Sequence, residues 1–286
     1  MDAGHNSLRL GEDTTMSSNL TWKRFPAGET GFFRAPVLIS GATESLLVDG
    51  GFTLSDGKAV AEAIIADGKT LKAVYVSQSD PDYYFSLGAV RSAFPRVPMI
   101  AASATVAAIK ASVQKKLDVW GPQLKDNGPR HLADVVELVA SDAPSIQVDD
   151  AEVEIIDADD LPNRRYLWVP SIQAIFGGVL IFAGVHVWTA DTATPELRAA
   201  WVNNLTAMMA RKPQIVVAGH GRVDAPVNAS AITYTRHYLL SFEEERARSP
   251  NSAALIAAMK KRYPDAGMEV ALDIGAKVAC GEINWG

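Results

Sequence analysis

The sequence predicts an α+β protein, a four-layer αββα sandwich in which two sheets face each other and helices cover the outside. The first sign is the order of elements, strands–helix–strand–loop–helix in the first half and strands–helix–strand–helix in the second. A second is the stretch 71–90, where an apolar run (71–76) passes into a polar loop and then into a helix start near Phe85. Along the chain, residues 34–39 and 45–48 read as short strands around the turn signal Ser40-Gly41-Ala42-Thr43. A helix is expected over 57–66, where Val60, Ile64 and Ile65 recur at near-helical spacing. The strand 71–76, a helix over 85–93 and a strand over 97–101 come next. The helix 103–117 carries Val106, Ile109, Val113 and Leu117 on one face. From 120 to 144 the breakers Gly121-Pro122 and Asn127-Gly128-Pro129 predict an irregular segment that keeps apolar anchors. Strands are expected at 151–156, 166–169, 173–176, 179–182 and 214–218, and helices at 195–210, 228–248 and 252–263.

Composition narrows the functional classes. The chain has 286 residues, enough for a substantial core, and its 48% hydrophobic and 21% charged content is that of an ordinary globular protein. A net charge of −6 with only small basic clusters speaks against a nucleic-acid or anionic-membrane partner. Cys280 is the only cysteine, which rules out an intrachain disulfide and a cysteine-based zinc cluster. Residues 1–19 are polar, lack the apolar stretch of a secretory signal, and are expected to be a poorly ordered extension to a single domain over 20–286. No apolar run has a membrane span's length, so a cytoplasmic protein is expected.

The loop Val76-Ser77-Gln78-Ser79-Asp80-Pro81-Asp82-Tyr83-Tyr84-Phe85 carries the functional reading. With its flanking strand and helix it resembles the His-x-His-x-Asp-His metal loop of the metallo-β-lactamase superfamily. Further landmarks follow in order: Leu46-Leu47-Val48-Asp49-Gly50-Gly51 resembles the early strand ending in Asp-x-Gly, the region from Val169 to Trp188 a later hairpin, and Val216-Val217-Ala218-Gly219-His220-Gly221 the late strand ending in Gly-His. The resemblance spans nearly the whole chain and implies the αββα fold, a hydrolase-like site and a small-molecule substrate or ligand. Laid on the motif, Gln78 and Asp80 stand where the first two histidines belong, Asp82 matches the aspartate, and Tyr83 replaces the last histidine. No histidine lies at Ala158, Asp159 or Asp160, where the third is expected, and Val179 stands at the bridging aspartate.

A two-zinc centre is therefore not expected, because neighbouring cations repel and need a bridging carboxylate that valine cannot supply. Gln78, Asp80, Asp82 and His220 form an oxygen-rich set suited to one divalent metal ion, harder than zinc, or to none. The expected catalytic residues are Asp82, His220 and Tyr83, and the expected substrate-binding residues His186, Trp188 and Tyr84. Each has a plainer reading beside it. Asp82 can cap the helix that follows, Asp80 can serve the turn before Pro81, and His186 can be a hydrogen-bonded core histidine. Asp191 reads as structural, Arg164-Arg165 as an exposed hairpin tip, and His237 as a surface residue. Three readings remain open. One is a one-metal hydrolase of small esters, lactones, thioesters or phosphodiesters, another a metal-free small-molecule-binding pseudoenzyme or sensor. The third is a metal-free enzyme using Asp82 and His220 as an acid/base pair.

Overall fold

The computed structural model describes residues 20–285, so the extension expected over 1–19 lies outside the described residues. Strands β1 (Thr21–Arg24), β2 (Val37–Ser40) and β3 (Glu44–Val48) form an antiparallel start, followed by helix α1 (Leu54–Asp67). Strand β4 (Thr70–Val76), helix α2 (Leu87–Ala93), strand β5 (Met99–Ala101), helix α3 (Ser103–Leu124) and strand β6 (Val139–Ala140) complete one sheet, ordered β1-β2-β3-β4-β5-β6. The second half holds β7 (Ser145–Val148), β8 (Ala151–Asp157), β9 (Arg165–Val169), β10 (Ala174–Phe176), β11 (Phe182–Ala183), α4 (Pro195–Ala210), β12 (Ile215–Val217) and β13 (His220–Gly221). Helices α5 (Ser230–Arg248), α6 (Ser252–Arg262) and α7 (Glu269–Ala279) close the chain. The second sheet runs β12-β10-β9-β8-β7, and β11 pairs with β13 in a short parallel ladder.

The sandwich follows from strands that are apolar on both faces. Val37, Ile39, Leu46, Val48, Ala73 and Tyr75 from the first sheet share one buried cluster with Val153, Leu167, Val169, Ala174, Phe176 and Val217 from the second. Their alternating neighbours Leu38, Leu47, Val74, Trp168, Ile175 and Val216 belong to a separate cluster with helix residues such as Val60, Ile64, Val90, Leu205 and Phe242. Period-two alternation thus sends one set to the facing sheet and the other to the helices.

Three expectations need correction. Helix α3 does not stop at Leu117 but runs through Gly121-Pro122 to Leu124. Its stripe Val113, Leu117, Trp120, Leu124 keeps helical spacing, and burial of that stripe outweighs the breakers. The run 179–182 is not a strand. The chain turns at Gly177-Gly178, and only Phe182 and Ala183 pair, with His220 and Gly221. Arg164 and Arg165 are not an exposed tip: Arg165 is buried against Asp157, Thr105 and Asn163, and Arg164 binds Asp191. His237 is exposed as expected. No helix among the described residues is long and apolar enough to cross a membrane.

Candidate functional site

The expected site residues Asp82, Tyr83 and His220 are buried, and an arginine lies among them. Arg34 precedes β2, and its side chain is wholly buried. The backbone delivers it there: Arg34 forms an isolated antiparallel bridge with His220, Ala35 N donates to Gly219 O at 3.0 Å, and Gly221 N donates to Phe33 O at 2.8 Å. To make this docking the chain adopts left-handed conformations at both Phe32 (φ 53°) and Phe33 (φ 55°), uncommon for aromatic residues and held by the surrounding packing.

Each guanidinium nitrogen then faces an oxygen. Nη2 donates to Asp49 Oδ2 at 3.0 Å, Nη1 donates to Gly219 O at 2.5 Å, and Nε lies 3.8 Å from Asp82 Oδ2 without a hydrogen bond. The guanidinium also lies over the Tyr83 ring, 3.7 Å from its centroid, a cation–π contact in a desolvated place. Asp49 is fixed from the other side by Ser77, whose N donates to Oδ1 at 2.7 Å and whose Oγ donates to Oδ2 at 2.9 Å.

Glycines make room for this arrangement. A Cβ on Gly219 would lie 1.6 Å from Gly178 O and 2.9 Å from Arg34 Nη1. Gly178 itself has φ +50°, and its missing side chain admits Ser77 Oγ and Arg165 O.

Asp82 and His220, far apart in sequence, meet with His220 Nε2 3.4 Å from Asp82 Oδ2. Tyr83 Oη is 3.2 Å from the same Nε2, and Phe182 stacks on the imidazole. Phe32 O lies 2.8 Å from Nδ1 and can only accept, which places the proton on Nδ1 and leaves Nε2 as an acceptor facing Tyr83 and Asp82. Burial and then the Arg34 charge push the pKa of His220 down to about 3, so the ring is neutral. Burial pushes the Asp82 carboxyl up to about 7 against the pull of Arg34. Burial likewise raises Asp49, opposed by Arg34 and the two Ser77 donors, and it holds Tyr83 well above the ordinary phenol value. Burial opposes the charge on Arg34; Tyr83, Asp49 and Asp82 around it oppose its loss, and its pKa stays above the ordinary arginine value. One guanidinium thus faces two carboxylates, and the second, Asp82, keeps a proton up to near neutral pH.

The remaining expected residues lie in different surroundings. Asp80 turns to helix α3, where Lys116 Nζ donates to its Oδ1 at 3.0 Å and to Ser79 O at 2.6 Å. Gln78 folds back so that its Oε1 accepts from Ser79 N at 2.6 Å, and its buried Nε2 has no partner. Tyr84 is buried, and its hydroxyl also has no partner. His186 lies in the core with Nδ1 2.9 Å from Tyr238 Oη on α5, and burial lowers its pKa to about 4. Trp188 Nε1 donates to Asp191 Oδ2 at 3.1 Å, an oxygen that also accepts from Arg164 at 3.0 Å. Trp120 packs on Phe32 and Phe52, which ties the end of α3 to the segment that carries Arg34. Asp82 does not cap α2: it lies in a short 3₁₀ turn, Pro81–Tyr83, and no side chain caps that helix.

The residues do not fit the metal implied by the resemblance. Asp82 faces a fixed cation, Asp80 is paired with Lys116, and Gln78 presents its oxygen to the backbone. Val179 is buried where a bridging carboxylate would stand, and Asp159 and Asp160 are exposed beside α4, where Asn204 holds the Asp159 backbone. Among the described residues no three His, Cys, Asp or Glu side chains are grouped so as to hold an ion. Sequence reasoning missed Arg34 and the role of Asp49. The available signal was a lone charge at the head of an otherwise buried apolar strand, which must find a partner.

Comparison with solved structures bears on the fold. A metallo-β-lactamase from Pontibacter korlensis superposes with a TM-score of 0.52 at 17% identity, covering 72% of this chain and 87% of that one. VMB-1 gives 0.48 at 19% identity over 73% of this chain and 85% of its own, and the DIM-1 metallo-β-lactamase 0.49 at 12% over 81% and 95%. No protein-family model and no curated protein matches the sequence. The chain has the metallo-β-lactamase fold.

Proposed function

We propose that this protein is a metal-independent member of the metallo-β-lactamase fold class that binds a small molecule, as a sensor or pseudoenzyme. The observation that carries this reading is the Arg34 guanidinium between Asp49 and Asp82, which supplies the charge compensation that a metal ion would otherwise give. Gln78 Nε2 and the Tyr84 hydroxyl on the same loop are buried without a partner, and a ligand acceptor reaching them on opening of the loop would satisfy both. The test is a thermal-shift and calorimetric screen of small esters, lactones, thioesters and phosphodiesters in chelator. Binding that survives the chelator, without turnover, is expected. Hydrolysis that the chelator abolishes and zinc restores would overturn the reading in favour of the one-metal hydrolase.

A second reading is supported by the Asp82–His220 contact. A carboxyl pushed up to about 7, 3.4 Å from Nε2 of a neutral imidazole, supports general acid/base work by Asp82 on a bound substrate, with Tyr83 as hydrogen-bond donor. Turnover in chelator that Asp82→Asn removes would establish it. Absence of turnover on every member of the screen leaves the binding reading.

A further inference from the structure

We propose that a groove beside β13 binds a small zwitterion carrying an aromatic ring, an aromatic α-amino acid being its simplest form. The groove has a volume of about 520 Å³ and lies between the ends of β11 and β13 and the turn 263–266 that follows α6. That volume is within the range of small-molecule sites. The site is separate from the one around Arg34 and does not rest on its reading. His220 is buried and faces Asp82, whereas Arg222, two residues on, is exposed and lines the groove.

The backbone sets the walls of the groove. Arg222 N donates to Ala183 O at 3.1 Å and Gly267 N to Gly184 O at 3.2 Å, so both sides are tied to the end of β11. Gly184 has φ +69°, and a Cβ there would lie 2.8 Å from Arg222 Cδ; the missing side chain lets the arginine arm lie across it. One wall is aromatic. The Tyr234 hydroxyl donates to Val185 O at 2.9 Å and the Tyr263 hydroxyl to Ser241 Oγ at 3.1 Å, which engages both polar ends within the protein. The two half-buried rings, 5.9 Å apart and edge to face, line the groove and suit a flat ligand ring. The rim carries both charges. Arg262 is spent on Glu244, Glu245 and Ser241. Arg222 pairs with Asp224 through side chains 47% and 75% exposed, a contact worth little and readily exchanged for a ligand carboxylate. Asp265, exposed on the same rim, gives Arg222 its backbone oxygen at 3.3 Å from Nη1 and leaves its carboxylate outside that contact. A donor for a carboxylate thus adjoins acceptors for an ammonium, beside a surface for a ring. A simple anion would meet Asp265 and a simple cation Arg222, whereas a zwitterion satisfies both.

The experiment is calorimetric titration with L-phenylalanine and L-tryptophan, and with 3-phenylpropanoate, phenethylamine and L-alanine, which lack the ammonium, the carboxylate and the ring in turn. Wild type should bind at least one aromatic amino acid about tenfold or more tighter than each of the three analogues. Arg222→Met should lower the affinity for that amino acid by about tenfold and leave phenethylamine unchanged. Asp265→Asn should weaken the amino acid and phenethylamine but not 3-phenylpropanoate. Both side chains are exposed, so both variants should keep the wild-type melting profile. Ala266→Phe, which puts a ring into the groove, should abolish binding of every probe. Asp82→Asn should bind as wild type does; loss of binding there would place the ligand at the Arg34 site and overturn the inference. An analogue bound as tightly as the amino acids, or no binding of either amino acid to wild type at millimolar concentration, would overturn it as well.

Discussion

Asp49→Asn should be far more damaging than Asp82→Asn, although Asp82 is the residue that the sequence motif singles out. Asp49 accepts three hydrogen bonds, from Ser77 N, Ser77 Oγ and Arg34 Nη2, and its side chain is 3% exposed. An asparagine cannot replace it in either orientation. With its NH₂ at the Oδ2 position, donors meet the Ser77 hydroxyl and the guanidinium; with the amide reversed, they meet Ser77 N. The variant also leaves Arg34 buried against Asp82 alone, which is 3.8 Å away and holds a proton to about pH 7. Breaking a buried pair by removing one partner costs roughly 3–5 kcal/mol. For a chain of this size that lowers the melting temperature by roughly 6–15 °C, at about 2–3 °C per kcal/mol. Asp82→Asn, by contrast, mimics the protonated form that wild type already populates near neutral pH and breaks no bond to Arg34; its cost at pH 7 should stay below about 1 kcal/mol. Urea unfolding of both variants at pH 7 gives the comparison through the shift in midpoint at constant slope. Equal destabilisation, or a larger loss in Asp82→Asn, would refute the assignment of Arg34 and Asp49 as the principal ion pair of the site.

Two further outcomes follow from the same geometry. Asp82, at about 7 when folded, lies above its unfolded value near 4, so its favourable contribution is full below about pH 4 and is lost as pH rises to 7. His220, at about 3 when folded, lies below its unfolded value near 6.5, so its contribution is full above about pH 6.5 and is lost as pH falls to 3. Between roughly pH 4 and 6.5 the two slopes oppose, since the folded site keeps one proton on Asp82 where the unfolded chain keeps one on His220. Asp82→Asn should therefore expose the histidine slope alone and lose stability relative to wild type as pH drops through that window; parallel profiles from urea unfolding would refute the pairing. Gly219→Ala puts a methyl group against Gly178 O and Arg34 Nη1, so it should unfold the protein or displace Arg34. A Gly219→Ala variant with wild-type stability would contradict the close approach.

Most of the fold could be read from the chain because its signals are local. The alternation in residues 34–39 and 45–48, the apolar run 71–76 and the helical stripe from Val106 to Leu117 each announce their element from neighbouring residues. The end of α3 was lost because Pro122 and Gly121 are strong local breakers, whereas the packing of Trp120 on Phe32 and Phe52 that outweighs them is a tertiary fact. The site divides the same way. Asp82 and His220 were legible as landmarks at strand ends, and they meet. Asp80 and Gln78 stand at landmark positions too, but a side chain from another element (Lys116) or the local backbone claims them.

Arg34 carries a signal of burial but belongs to no motif, and the reason lies in what a motif records. A motif read as a set of ligands marks the anions and imidazoles around a cation and is silent about the cation itself, which is ordinarily a separate ion. The buried cation here is Arg34, which precedes β2, belongs to no ligand motif, and is held by the Phe32-Phe33 turn against β13. A buried guanidinium must be paired, so once Arg34 heads a strand whose following residues are all core, some carboxylate at the cleft has to be its partner. The candidates at strand ends were Asp49 and Asp82, and the structure uses both. One buried guanidinium thus serves Asp49 directly and lies beside Asp82, while Asp80 and Gln78 find their partners on α3 and in the local backbone.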